Sequence, residues 1–344
     1  MDTEIDGTGP HFVSAHMVAE RAGVSRSAVS RAFTPGASIA PATRKKVMKA
    51  AAELGYQVND LARGLLANCS RLVGLVASDL ASPFRTLQVA ALSRRLVARG
   101  SVPVLIPTEP GEDQVGAAHA TLLRYRAEAT IVLSGMPSSS IVELAQRNGQ
   151  PLIVVGRTEH GPDHVRINNA RAAQVAVEVF LARGLTKLGL VTSVVGSPNL
   201  IEREEAFVAA ARERGLEVKV QRAGYTDYEG GQAAASLLLG TGVTVEAVFC
   251  VNDLMALGLM DFARDVLNLS IPENLSVIGF DGIPQTRWSA YRLTTFHQDE
   301  EALAAETIRV LDRRQADPKA PPIVSVLDVP LIYRGSVRPL KDGM

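Results

Sequence analysis

Apolar positions along this chain change their spacing near residue 70. Before it they recur at helical intervals: Val18, Ala19 and Ala22, then Val29, then the stretch from Pro41 to Leu54. After it come short apolar runs at Leu72 to Ala77, Val102 to Ile106, Thr130 to Leu133, Leu152 to Val155, Leu188 to Thr192, Ala247 to Val251 and Val277 to Phe280. These read as buried parallel strands. Amphipathic helical stretches lie between them, near Thr86 to Ala98, Gln114 to Tyr125, Ile141 to Arg147, Ala172 to Leu181, Glu202 to Arg214, Gly231 to Leu239, Leu254 to Val266 and Glu300 to Arg313. Such alternation is the signature of doubly wound α/β sheets with parallel strands, and there are enough strands for two of them.

Residues 14 to 33 carry the sharpest local signal. Ser14 is placed to cap one short helix, Gly23 to end it, and Ser25 to cap a second, which makes a helix-turn-helix. Val29 faces the first helix, so Arg26, Ser27, Ser30 and Arg31 are left as a polar and cationic surface. Pro41 and Gly55 bracket a third helix, which completes a compact headpiece. Charge sharpens this reading. Between His11 and Ser70 there are eight cations and three acids, whereas the whole chain has a formal net charge of +0. A local excess of this kind is the footprint of phosphate contact, although a solvated helix face also accounts for it.

The chain of 344 residues suits two or three domains. No apolar run approaches the ~20 residues that span a bilayer, and the first residues are acidic rather than signal-like, so a soluble cytoplasmic protein without a membrane partner is expected. Cys69 and Cys250 are far apart in sequence, which speaks against a disulfide framework or a cysteine metal site. The six histidines are scattered without ligand spacing, and no P-loop, Gly-x-Ser-x-Gly or His-Glu-x-x-His motif is present. Neither an enzyme nor a bound metal or cofactor is expected; a solute-binding protein with a basic N-terminus is the alternative to a DNA-binding regulator.

Val18-Ala19-Glu20, Ala22-Gly23-Val24-Ser25, Ala28-Val29-Ser30-Arg31, Thr43-Arg44, Leu54-Gly55-Tyr56, Asn59 and Ala62-Arg63-Gly64-Leu65 resemble the LacI/GalR family of bacterial transcriptional regulators. The similarity continues through Ser82-Pro83-Phe84, Arg203 with Ala206-Phe207, Asn252 to Gly258, Pro272 to Asp281, and Leu293-Thr294-Thr295 with Gln298. Ala40 departs from it, standing where the family usually has a capping Ser or Thr, a loss that typically costs ~1 kcal/mol.

The resemblance implies a two-lobed, periplasmic-binding-protein-like effector domain behind the headpiece. Residues 1–10 are then a disordered tail, 11–58 the headpiece, 59–70 a hinge helix and linker, 71–336 the effector and dimerisation domain, and 337–344 a second tail. Lobe one is expected at about 71–168 and 296–323, and lobe two at about 169–293 and 324–336. Only eight residues follow Ser336, too few for a tetramerising coiled coil, so a homodimer on a near-palindromic operator is expected. The implied function is a ligand-responsive, nucleoid-associated repressor of sugar or sugar-acid genes.

Base readout is assigned to Arg26, Ser27 and Arg31, because arginine matches the guanine major-groove edge and serine serves several bases; phosphate contact stays open for Arg26. Ser14, Ser25, Ser30, Thr43, Arg44, Asn59 and Arg63 are the backbone candidates. Ala62 and Leu65 match the minor-groove hinge, where an apolar wedge bends DNA. By match with family pockets, Phe84, Arg157, Asn199, Arg203, Tyr225, Asn252, Asp281 and Gln298 are the effector candidates. Two arginines beside one acid favour a sugar acid or phosphosugar over a neutral sugar, while an Arg157 to Asp281 salt bridge would explain both without such a ligand.

Overall fold

Serine hydroxyls start the first two helices. Ser14 Oγ accepts from Met17 N at 3.3 Å before α1 (Ala15–Ala22), and Ser25 Oγ accepts from Ala28 N at 3.3 Å before α2 (Arg26–Ala32). Gly23 closes α1 in the left-handed conformation, φ 63°, which a side chain disfavours. The third helix, α3 (Pro41–Leu54), begins without a side-chain cap at Ala40 and relies on Pro41 in its first turn. Val18, Ala19, Val29, Ala32, Val47, Ala50 and Ala51 form the core of this three-helix unit, and the Phe33 ring meets Tyr56 edge-on at 5.4 Å. The computed structural model describes residues 12–34, 36–59, 70–109, 112–133, 137–156, 161–240 and 245–340. It divides into two compact units, Met1–Ser70 and Arg71–Met344.

The second unit holds two six-stranded sheets. The first is built from β1 (Leu72–Ala77), β2 (Val102–Pro107), β3 (Ala129–Val132), β4 (Leu152–Val155), β5 (Asp163–Ile167) and β11 (Val324–Leu327), in the order β11-β5-β4-β3-β1-β2 and parallel throughout. The helices α4 (Pro83–Arg99), α5 (Glu112–Arg124), α6 (Ser139–Arg147) and α11 (Glu300–Ala316) belong to this lobe, α11 lying against α4. The second sheet contains β6 (Leu188–Ser193), β7 (Val218–Ala223), β8 (Ala247–Cys250), β9 (Ser276–Asp281), β10 (Thr294–His297) and β12 (Leu331–Ile332), in the order β12-β10-β9-β8-β6-β7. Only β12 runs antiparallel there. Its helices are α7 (Asn169–Leu181), α8 (Pro198–Arg212), α9 (Tyr228–Leu239) and α10 (Asp253–Asp265).

In each sheet the winding reverses beside the first strand, β1 between β2 and β3, β6 between β7 and β8. Loops on either side of such a reversal part and leave a crevice at the carboxyl ends of the strands. Lobe two's core carries a run of rings from Phe180 through Phe207, Phe249 and Phe296 to Phe280, with successive centroids 6.5, 5.1, 6.2 and 5.6 Å apart. This run extends the rigid interior to the end of β9, where the crevice begins.

Four expectations are corrected. Thr294–His297 pairs with β9 and belongs to lobe two, whereas Val324–Leu327 pairs with β5 and belongs to lobe one, so lobe two runs to 297 rather than about 293 and lobe one to 327 rather than about 323. A short run does not carry the name of its neighbour; only pairing decides it. Val102 to Ile106 is an edge strand and not a buried one, with Leu105 41% exposed. The expected tail from 337 is packed as far as 338: Val337 is buried, and Arg338 accepts from Arg183 Nε at 2.7 Å and donates to Ser276 Oγ at 3.2 Å. Finally β5 and β7 were not anticipated, because Asp163, His164, Arg166, Lys219, Gln221 and Arg222 interrupt their apolar patterns. Among the described residues no helix is long and apolar enough to cross a membrane.

Candidate functional site

In the headpiece, burial of Ala28, Val29 and Ala32 turns Arg26, Ser27, Ser30 and Arg31 outward into solvent. Ser27 Oγ lies 2.8 Å from Ser25 Oγ, and Arg31 Nε donates to Ser27 O at 3.3 Å, so the two ends of this surface are tied along one helix face. Ser14 and Ser25 use their oxygens as caps, and the Ser14 hydroxyl keeps its proton for another acceptor. Thr43 sits half-buried in the first turn of α3.

Arg44 is different from the other backbone candidates. Its guanidinium donates to Ala32 O at 2.6 Å and Ala37 O at 3.2 Å, which clamps the α2–α3 connection. Its first role is structural. The basic excess is also thinner than the count of residues suggests, since Arg21 and Lys49 both approach Glu53, at 2.9 and 3.9 Å. Lys45 and Lys46 remain exposed beside them. Asn59 is the last described residue before the hinge segment; Ala62, Arg63 and Leu65 lie outside the described residues.

Within the second unit, the strand ends enclose a cavity of ≈ 140 Å³ between the lobes. One water needs only ~10–15 Å³ on this kind of measure, so the space is that of a small molecule. Phe84, Asn199, Arg203, Asn252, Asp281 and Gln298 line it. Tyr225 does not: it is 72% exposed, and its neighbour Thr226 takes the place at the wall. Arg157 lies outside the described residues.

Arg203 is the best-anchored side chain of the cleft. Its guanidinium stacks on the Phe280 ring 3.5 Å from the centroid, donates through Nε to Asn169 Oδ1 at 2.7 Å and through an outer nitrogen to Val251 O at 2.6 Å, and stands 4.0 Å from Asp281 Oδ1. Burial pulls its pKa down to about 10, against the opposing pull of Asp281, Glu202 and Asp253. Asp281 ends β9 at φ 116°, a conformation rare for a residue with a side chain. Gln298 holds it from two sides, donating Nε2 to Oδ1 at 2.7 Å and its backbone N–H to the Asp281 carbonyl at 3.0 Å. Burial pushes the Asp281 carboxyl up to about 6, although Arg203 opposes the shift. Behind it Asp253 accepts from Gly282 N at 2.6 Å, Ile283 N at 2.9 Å and Thr295 Oγ1 at 2.6 Å, which fixes the turn that carries Asp281.

Asn252 lines the cavity but is largely engaged. Its Oδ1 caps α10 at Met255 N, 2.9 Å, and its Nδ2 donates to Thr226 O at 2.7 Å. One N–H and one lone pair remain for a ligand.

Several wall residues were not anticipated: Asp79, Ser82, Arg85, Gln88 and Arg166. Arg85 and Gln88 are one helical turn apart just beyond a strand end, a placement legible in sequence once β1 is recognised. Arg85 donates to Gln88 Oε1, and burial lowers its pKa to about 10. Arg166 sits on β5, the strand that its own charge concealed, and reaches Glu202 Oε1 of the other lobe at 3.4 Å.

Residues 16–59 match the family described as bacterial regulatory proteins, lacI family, and residues 177–337 match the periplasmic binding protein-like domain. The chain is 30% identical to the HTH-type transcriptional repressor CytR of Escherichia coli strain K12, over 94% of this chain and 96% of that protein. It is 31% identical to the HTH-type transcriptional regulator GalS of Salmonella typhimurium, over 83% and 84%. Among solved structures, a Lac repressor dimer bound to operator and the anti-inducer ONPF superposes with TM-score 0.86 at 24% identity, over 95% of this chain and 99% of that one. A transcriptional regulator CelR–cellobiose complex gives TM-score 0.69 at 25% identity, over 94% and 99%.

Proposed function

Because this chain belongs to the lacI family of bacterial regulatory proteins, a family of transcriptional regulators and not of enzymes, we infer that it controls transcription by binding an operator through α2 and sensing a small molecule between its lobes. The observation that carries the reading is the outward row Arg26, Ser27, Ser30 and Arg31 on a helix whose other face is core. Arg31 and Arg26 offer paired donors to base edges, and Ser27 a hydroxyl. Ser14, Ser25, Ser30, Thr43 and Asn59 hold phosphates, together with the cations Lys45 and Lys46. With one short reading helix per chain, a homodimer doubles the contacted bases and calls for a near-palindromic site. Leu65 and Ala62 are its minor-groove wedge. Such a regulator works in the cytoplasm, where its DNA is.

The cleft supplies the control. A ligand there alters operator affinity only as far as it prefers one lobe arrangement, and couplings of ~1 to 3 kcal/mol correspond to roughly 5- to 150-fold. Relatives named for galactose, ribose, purine or cytidine control indicate the range of effectors within the family, and a polyhydroxylated molecule suits Asn199, Asp281 and Gln298. The test is a gel shift with DNA from upstream of the chain's own gene, titrated against random DNA of equal length. A preference for the upstream DNA is expected. Equal affinity for both at ~0.15 M salt would reject the regulator reading.

A further inference from the structure

The three arginines of the cleft differ in what they lack. Arg203 is matched by Asn169, Val251, Asp281 and the Phe280 ring. Arg85 and Arg166 are not: the Nε of each is buried and meets no acceptor among the described residues. Buried donors are nearly always paired, and a charged one left unpaired is costlier than a neutral one. Both residues line one cavity, so two such atoms point to a missing acceptor beside it. Charge says what kind. Among the described residues the wall carries Arg85, Arg166 and Arg203 against Asp79 and Asp281, three cations to two acids. Glu202, outside the wall, stands 3.4 Å from an outer nitrogen of Arg166 and accepts from Asn169 Nδ2 at 2.9 Å, and leaves the Arg166 Nε–H open. A neutral sugar offers these two charged donors only hydroxyl acceptors, and a phosphate dianion sets two charges beside Asp79 and Asp281. A carboxylate brings a single charge and one oxygen for each Nε–H.

We propose that the effector is a polyhydroxylated monocarboxylate, a sugar acid, whose carboxylate is bound by the Nε–H groups of Arg85 and Arg166 while its hydroxyls face Asn199, Asp281 and Gln298. The proposal rests on the reading of this cavity as the effector site. It moves the anion away from Arg203, whose Nε and one outer nitrogen already donate within the protein, and onto two residues of lobe one.

The full-length protein is titrated by calorimetry and thermal shift with D-gluconate, D-glucuronate and D-galacturonate, with D-glucose, D-galactose and glucose 6-phosphate as counterparts, and with glycolate as a probe of the carboxylate position alone. Binding by at least one acid, or by glycolate, over its neutral and phosphorylated counterparts is expected. Arg85→Gln and Arg166→Gln should each weaken that binding by roughly 10- to 100-fold. Arg85→Lys, which keeps the charge and removes Nε, should weaken it as well, and guards against a fold defect when its melting temperature equals wild type. A neutral sugar or the phosphosugar binding more tightly than every acid overturns the proposal. So does silence from all the acids and glycolate, or acid binding that survives in all three variants. Operator titration of the same proteins separates the two readings: intact DNA preference with any of these failures removes the sugar acid alone, whereas lost DNA preference in the wild type removes the regulator.

Discussion

In the headpiece Arg26 and Arg31 stand in solvent on a seven-residue helix, while in the cleft Arg203 is stacked, hydrogen-bonded and almost wholly buried. The two regions use the same side chain for opposite purposes. An exposed arginine is worth little to the fold, because water screens it, and it keeps its donors for a partner that arrives with its own charge. A buried arginine must have its donors satisfied within the protein, so it shapes the site more than it serves the ligand. The lesson concerns substitution: removing a headpiece arginine should change recognition and leave stability alone, and removing Arg203 should do the reverse.

The largest expected effect comes from Arg203→Ala. It leaves Asp281 without its nearest cation and Asn169 Oδ1 and Val251 O without a donor, and breaking a buried pair in this way costs about 3–5 kcal/mol. Urea unfolding of the full chain measures it; a loss below about 1 kcal/mol would show that the cleft tolerates the gap and that the contrast drawn here is wrong.

Asp281 gives the next effect, through pH. Its folded carboxyl titrates near 6, above its ordinary value of 3.8, so the unfolded state releases its proton first as pH rises. Its contribution is therefore fully present below that ordinary value and is lost as pH climbs through about 6, on the order of 2–3 kcal/mol in total. Glu306, whose hydrogen bond from Arg309 holds it down at about 2, acts in the opposite sense and lower in pH. The difference in stability between wild type and Asp281→Asn should consequently fall across that window. A difference that stays flat from pH 4 to 7 would place the Asp281 titration elsewhere.

Arg31→Ala is expected to cost roughly 1 to 3 kcal/mol on operator and less on random DNA, with an unfolding midpoint like wild type. Equal losses on both DNAs would make Arg31 a phosphate contact. Arg44→Ala should behave oppositely within the same headpiece. Losing its bonds to Ala32 and Ala37 should lower headpiece stability by about 1–2 kcal/mol, and the slope of log affinity against log salt should stay as it was. A slope reduced by about one unit with unchanged stability would instead return Arg44 to the phosphate backbone.

What was legible follows from how local each feature is. Ser14, Gly23, Ser25 and Pro41 act within a turn of their own positions, so the three helices and the outward face of α2 could be read residue by residue. The apolar runs announced doubly wound sheets, with strands enough for two, for the same reason; the strand order, and with it the crevice, came from the structure. Phe84, Asn199, Arg203, Asn252, Asp281 and Gln298 were found through their likeness to a known pattern, and the cleft does bring them together.

Pairing was not legible. Nothing in Thr294–His297 or Val324–Leu327 says which sheet will take it, because a strand's partner is chosen by contacts hundreds of residues apart, such as Val324 with His164. Charged strands such as β5 hid from a search for apolar runs, and Arg166 was hidden with it. The balance of donors and acceptors is likewise a property of three dimensions. Sequence alone determined the helix-turn-helix headpiece and the doubly wound α/β class, since both are written in short-range spacing, and the likeness to a known family implied the two lobes. Tertiary structure alone decided that Arg44 clamps a turn, that Arg203 is satisfied and that Arg85 and Arg166 are not, because whether a buried group is paired depends on which distant atoms the fold sets beside it.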